Sequence, residues 1–205
     1  MPRYAAIDIG SNSIRMEAAE VIPGQPARIL ASDREVTRLG EGVFRTGAVT
    51  EEALRNTCVV LARMAELYRK LEVVGVRAVA TSAIRDASNQ REFLVRAVEA
   101  VGAPVEIISG REEARLIYLG VEGSWPQPDK RVLIIDIGGG SAEIVEKSLR
   151  DVGVQLVRGA AGGVDCHRLA VRLHHDPKSA VVAVPGVVDH RSALRHGQRR
   201  YAGRP

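Results

Sequence analysis

The sequence predicts an α/β protein: one complete α/β domain, then the opening strands of a second. Three observations lead there. Of the 205 residues 45% are hydrophobic but only 3% aromatic. The core must therefore be built from Val, Ile, Leu and Ala, which suits a sheet faced by helices. Short apolar runs of strand length alternate with longer stretches of helical period. A hydrophobic strand closed by Asp-Ile-Gly occurs twice, ending at Asp8-Ile9-Gly10 and at Asp136-Ile137-Gly138.

Along the chain, Tyr4–Ile9 is an apolar run that stops at a glycine turn, as a buried strand does. Ile14–Val21 alternates, with Ile14, Met16 and Ala18 on one face, and reads as the returning strand of a hairpin. A third strand covers Arg28–Val36. Thr50 caps a helix with Glu51 and Glu52 in its first turn. Its apolar face is Leu54, Cys58, Leu61, Ala65 and Tyr68, which makes Cys58 a buried structural cysteine. Val76–Ala80 is a strand. Asn89 and Glu92 form a capping box for a helix through Phe93, Ala97 and Val101 that stops at Gly102. Val105–Ile108 is a strand, and Ser109 with Glu112 repeats the capping pattern ahead of a helix ending near Gly120. The order β-β-β-α-β-α-β-α makes residues 1–123 a complete α/β unit.

Residues 124–130, with Pro126 and Pro128, read as a linker. Arg131–Ile137 is the most apolar strand, and Glu143–Glu146 returns from it, so 131–157 repeats the start of the first unit. The device is the same both times: strand, carboxylate, glycine turn, hydroxyl, returning strand. With no helices in view to cover it, this second sheet is expected to leave Val132, Ile134 and Ile144 partly exposed. That predicts association, a homodimer included, through the uncovered face.

Charge is unevenly spread. Nine of the 29 Lys and Arg but only three of the 25 Asp and Glu lie from Arg158 onward, a surplus of six in a chain of net charge +4. Residues 1–157 therefore sum to about −2, which gives no support to a general nucleic-acid surface on them. All five histidines lie in the last 40 residues. No apolar run approaches the ~18 residues of a membrane helix, and no signal peptide precedes the first strand. Two distant cysteines, Cys58 and Cys166, make no disulfide framework. Together these predict a cytoplasmic location and no membrane partner.

A glycine-rich hairpin turn lets successive backbone N–H groups point into one concavity with no side chain in the way, which suits a phosphate. Ser11, Asn12 and Ser13 in the first turn, and Gly138, Gly139, Gly140 and Ser141 in the second, are candidate phosphate-binding residues on this ground. Arg15, just past the first turn, adds either a charge-assisted phosphate contact or a solvated strand arginine. Asp8 and Asp136 end buried strands at these turns. Such a carboxylate either caps turn N–H groups or holds a divalent cation that bridges to phosphate. Glu143, in the returning strand, is a further acidic candidate. Glu112 and Glu113 differ by about 100° around a helix axis, so only one can face a cleft. Acidic residues in a first helical turn otherwise complement the helix dipole and nothing more.

Five stretches bear a resemblance: Asp8-Ile9-Gly10-Ser11-Asn12-Ser13-Ile14-Arg15, Thr37-Arg38-Leu39-Gly40-Glu41-Gly42, Ala78-Val79-Ala80-Thr81-Ser82-Ala83-Ile84-Arg85-Asp86-Ala87, Ser109-Gly110-Arg111-Glu112-Glu113-Ala114-Arg115-Leu116 and Asp136-Ile137-Gly138-Gly139-Gly140-Ser141. In this order they resemble the exopolyphosphatase / guanosine pentaphosphate phosphohydrolase family. The resemblance implies the actin-like (ribonuclease H-like) ATPase superfamily, with two α/β domains and the active cleft between them. It implies hydrolysis of terminal phosphoanhydride bonds in polyphosphate or in the alarmone pppGpp, assisted by Mg²⁺ or Mn²⁺. By position it makes Glu113 the glutamate that activates water and Asp136 the aspartate beside the metal, with Glu143 as a supporting acid. Arg85 becomes a cleft arginine that neutralises substrate charge.

The resemblance fades after about residue 157. Residues 158–205 carry Gly, Ala, Arg, His and Pro without clear periodicity, and only His175-Asp176-Pro177 is faintly similar to a family segment. A frameshift or truncation with a disordered tail is the reading this composition favours; a basic arm for polyanions is the other. A second domain cut short predicts weak turnover or none. Two other functions stay open: a non-catalytic phosphate binder, and an ATP-using kinase or chaperone-like ATPase on the same fold. The last would need an adenosine pocket that no motif supplies.

Overall fold

The computed structural model describes residues 1–128 and 130–147, and the backbone of 152–157 and 179–185. The first unit runs β1 (Arg3–Ile9), β2 (Ser13–Glu20), β3 (Arg28–Val36), α1 (Leu39–Thr46), α2 (Glu51–Lys70), β4 (Gly75–Ala80), α3 (Ser82–Asp86), α4 (Gln90–Val101), β5 (Val105–Ile107) and α5 (Gly110–Ser124). The second runs β6 (Arg131–Ile137), β7 (Ala142–Lys147), β8 (Val152–Val157) and β9 (Ser179–Pro185).

The first sheet has strand order β3-β2-β1-β4-β5. Its β1–β2 and β2–β3 pairs are antiparallel, and β1–β4 and β4–β5 are parallel. Alternation sets its faces. Ala5, Ile7 and Ile9 of β1 and Ile14, Met16 and Ala18 of β2 are buried in one cluster with Leu54, Leu61 and Met64 of α2 and Phe93 and Ala97 of α4. Each such large side chain contributes about 1.5–3 kcal/mol when taken from water. By the same period of two, Asp8 and Arg15, which pair across the hairpin, stand on the opposite face.

The second sheet has order β8-β7-β6-β9, with β6–β7 and β7–β8 antiparallel and β6–β9 parallel. This is the order and sense of β3-β2-β1-β4, so the repeat seen in sequence is a repeat of topology. Both sheets follow the actin-like plan, the first with all five strands and the second with four among the described residues.

Several expectations are corrected. Helices α1 and α3 were not foreseen. Helix α1 holds Gly40 and Gly42 in eight residues and starts after Arg38, whose backbone is left-handed (φ 49°) with no side-chain cap, so by propensity it reads as a loop. Thr50 and Ser109 cap as expected, accepting from Ala53 N and Glu112 N at 3.2 Å each. Asn89 does not cap. Its amide turns instead to Val49, accepting from Val49 N at 2.9 Å and donating to Val49 O at 3.0 Å. The buried stripe of α2 is Leu54, Thr57, Val60, Leu61, Met64, Ala65 and Tyr68, with Thr57 rather than Cys58 at its centre line, which leaves Cys58 only partly buried. Helix α5 runs past Gly120 to Ser124.

Counted with the first domain by sequence, α5 packs on the second sheet. Its Ala114, Ile117, Tyr118 and Val121 lie against Val132, Ile134 and Val145. Val132 and Ile134 are consequently buried (3 and 1% exposed) rather than partly exposed, and Ile144, on the opposite face of the sheet beside Ile135, is buried as well (3%). Within 158–205, where no element was expected, Ser179–Pro185 forms β9. The rest of that stretch, with His175-Asp176-Pro177 and the expected disorder, lies outside the described residues. Among the described residues no helix is long and apolar enough to cross a membrane.

Candidate active site

The two glycine turns are built alike and meet. Gly10 N donates to Ser13 O at 3.1 Å in the first, and Gly138 N donates to Ser141 O at 2.9 Å in the second. In the strands leading away, Asp8 stands opposite Arg15, and Asp136 opposite Glu143. A Cβ at Gly139 would lie 3.3 Å from Asn12 Cβ and 3.4 Å from Ser11 Cβ, so the second turn rests on the first. None of Gly138, Gly139 and Gly140 has a left-handed φ. What the second turn requires of its glycines is space rather than backbone freedom.

The β3–α1 junction holds the first turn from behind. Thr37 N and Arg38 N both donate to Asn12 O at 3.0 Å, and Gly40 N donates to Ser11 O at 2.7 Å. The left-handed backbone of Arg38 lets two successive amides converge on one carbonyl. With the carbonyls of the turn engaged, the amides of Ser11, Asn12, Gly139 and Gly140 make no hydrogen bond among the described residues. Strand β4 brings Thr81 and Ser82 to the same end. Ser82 and Ser11 share a hydroxyl–hydroxyl hydrogen bond of 2.8 Å, and Thr81 N donates to Ile9 O at 3.2 Å.

Between the turns lies a cavity of about 80 Å³, room for a phosphoryl group or several waters. Glu113 forms one wall of it. The Ser109 cap fixes the phase of α5, and that phase separates the two neighbouring glutamates. Glu112 turns outward to Arg115 (2.7 Å) and Arg77 (3.2 Å), and the hydrogen bond from Arg115 above all holds its carboxyl down at about 2. Glu113 turns inward, 15% exposed, with Arg85 Nη1 at 3.2 Å. Loss of water around it, helped by the negative charges of Glu143 and Asp8 and opposed by Arg85, pushes its carboxyl up to about 7. Arg85 Nη1 also donates to Ile108 O at 2.8 Å. Its buried Nε has no hydrogen-bond partner among the described residues.

The other acids are crowded too. Desolvation lifts Asp136 to about 6, with Arg15 opposing and Asp8 adding to the rise. Asp8 keeps an open surface toward the cleft, yet protein surrounds the cleft on most sides, and this desolvation raises its pKa against the pull of Arg15. Glu143 is raised by burial as well, while a hydrogen bond from Ser141 restrains it. Excess negative charge in a half-dry cleft fits a divalent cation. No three His, Cys, Asp or Glu side chains gather into a ligand set among the described residues. Mg²⁺ is compatible with that, because it takes one or two carboxylates and leaves its other positions to water and phosphate oxygens. Asp136 and Asp8, at the ends of the two turns, line the cavity together with Glu113.

Of the residues expected at the site, Asp8, Ser11, Asn12, Ser13, Arg15, Glu113, Asp136, Gly138, Gly139 and Ser141 line this one cavity. Three do not. Gly140 turns its back and faces the Phe44 ring. Arg85 donates to Glu113 at 3.2 Å and is not part of the cavity lining. Glu143 is buried (2% exposed) beneath the turn. Thr81 and Ser82 line the cavity without having been singled out; two adjacent hydroxyl residues closing a strand parallel to β1 were the available signal.

Comparison with known proteins agrees with this geometry. Residues 18–156 match the Ppx/GppA phosphatase family. The Aquifex aeolicus PPX-GPPA enzyme is 32% identical with a TM-score of 0.75, over all of this chain and 74% of its own. An exopolyphosphatase from Cytophaga hutchinsonii is 28% identical with a TM-score of 0.72, over 96% of this chain and 59% of its own. An exopolyphosphatase-like protein is 32% identical with a TM-score of 0.72, over 78% of this chain. The present chain spans 51% of the length of that last protein. A family match over two thirds of the sequence, and 32% identity to the Aquifex enzyme over the whole chain, establish that the chain belongs to the Ppx/GppA phosphatase family.

Proposed function

We propose that the chain forms the catalytic cleft of a phosphohydrolase acting on terminal phosphoanhydride bonds, with inorganic polyphosphate or pppGpp as substrate. The observation that carries this reading is Glu113, a carboxyl lifted to about 7 in the wall of a cavity between two amide-lined turns. A group poised near neutral pH is suited to accept a proton from water.

In this reading the terminal phosphate lies between the turns. The unengaged amides of Ser11, Asn12 and Gly139, with the hydroxyls of Ser13 and Ser141, cradle its oxygens, and Arg15 adds positive charge. Water on the Glu113 side attacks phosphorus as Glu113 takes its proton. The bridging anhydride bond breaks, its oxygen leaves with the shortened chain, and orthophosphate is the other product. Mg²⁺ or Mn²⁺, held by Asp136 and Asp8, would supply positive charge against the developing negative charge on the phosphate oxygens. Arg85 holds Glu113 in place. Glu143, behind the turn, adds negative charge that keeps the Glu113 proton affinity high.

The experiment is orthophosphate release with Mg²⁺ from long-chain polyphosphate, pppGpp and ATP. The reading predicts release from one or both of the first two in preference to ATP. Preferential ATP turnover would favour a kinase-like or chaperone-like ATPase, and saturable phosphate binding with no turnover would make the chain a binder.

A further inference from the structure

We propose that Phe44 is a positioning residue: its ring, carried on α1, fixes the spacing of the two phosphate turns. The ring is half exposed (50%), yet glycines on both sides make room for it. A Cβ at Gly40, on the same helix, would lie 2.5 Å from Phe44 Cε2 and 3.0 Å from Ser11 Cβ. A Cβ at Gly140, in the second turn, would collide with Phe44 Cζ and come within 3.0 Å of Cε1 and Cε2. Since Gly140 has no left-handed φ, contact with this ring is the structural reason for a glycine there.

The ring is also rigidly tied to the first turn. Gly40, four residues before Phe44 and so on the same side of α1, donates to Ser11 O at 2.7 Å. Ser11 Cβ and Asn12 Cβ in turn touch the position of Gly139. First turn, α1, Phe44 and second turn thus form a closed loop of contacts. Without the ring, Gly139 against Ser11 and Asn12 is the remaining contact in that loop, made by atoms with little apolar area. The loss should let Gly138–Ser141 move away from Ser11–Ser13.

Hydrogen exchange on the full chain tests this without relying on any enzymatic reading. Phe44→Ala should speed exchange of the Gly138 amide, which donates to Ser141 O within the second turn, by roughly tenfold, because about half the burial of a phenylalanine is lost. Phe44→Leu should restore most of the protection, and the amides of α2 and α4 should be unchanged. A second variant gives an independent arm. Gly140→Ala should loosen the same amide in the parent and do so much less in the Phe44→Ala background, where the added methyl has room. Unchanged exchange at Gly138 in Phe44→Ala, or additive effects in the double variant, would overturn the proposal. Where turnover is measured, kcat/KM should fall by ~10–10²-fold in Phe44→Ala, the scale of a small misplacement of reacting groups. If the parent releases no phosphate at all, the phosphohydrolase reading fails, and the exchange arms still decide the role of the ring.

Discussion

Replacing Glu113 by Gln should make the folded chain more stable above neutral pH, by an amount set by where the carboxylate sits. In the unfolded chain the carboxyl titrates near 4.5; in the cleft it is lifted to about 7. Below 4.5 both states hold the proton, and its full contribution to stability is present. As pH rises the unfolded chain releases the proton first, and the contribution is lost by the time pH passes about 7. A carboxyl raised this far resists ionisation in the fold by about 3 kcal/mol. Glutamine has the same shape, stays neutral at every pH, and can still accept from Arg85 Nη1, which keeps its bond to Ile108 O. Urea unfolding of parent and variant should therefore give a gain of up to about 3 kcal/mol at pH 8, shrinking below about 1 kcal/mol at pH 5. An equal or lower midpoint for the variant at pH 8 would refute the reasoning, because Glu113 would then carry its charge without penalty.

Asp136→Asn should raise the Mg²⁺ concentration needed for turnover, and excess EDTA should abolish it, since hard cations take oxygen ligands; undiminished activity in EDTA would exclude a metal role. Asn89→Ala removes both hydrogen bonds to Val49 and should cost about 1–3 kcal/mol in thermal or urea unfolding; a neutral result would mean water replaces both. Residues 1–157, with a net charge of about −2, should not bind duplex DNA at physiological salt, and a micromolar, steeply salt-dependent mobility shift would contradict this.

The strands and both phosphate turns were legible because burial and register leave a period-of-two signature, and because Asp-Ile-Gly recurs. Nine of the ten expected site residues in the cavity lie there for that reason, because the turns and their flanking strands fix them locally; Glu113 comes from α5. What stayed hidden depends on contacts between distant segments. Helix α1 holds two glycines in eight residues and is held by the Gly40 bond to Ser11 O and by Phe44 against Gly140, neither visible in local sequence. Asn89 looks like a cap by spacing, and only the fold brings Val49 to it. The cover over Val132 and Ile134 comes from α5, which by chain order belongs to the first unit. The choice between Glu112 and Glu113 needed the phase of α5, which the Ser109 cap sets and sequence spacing alone leaves open.

The most direct test of the account is the pH profile of phosphate release, with saturating Mg²⁺, by the parent chain and by Glu113→Gln. The parent should show kcat/KM rising with pH to a plateau, with an acid limb at or below about 7, because bound cations lower the Glu113 pKa from its value in the bare cleft. The variant should lose about 10²–10⁴-fold in rate and, through its neutral side chain, lose that limb. A parent without turnover, or a variant that loses less than about tenfold and keeps the same acid limb, would contradict the assignment of Glu113 as the base.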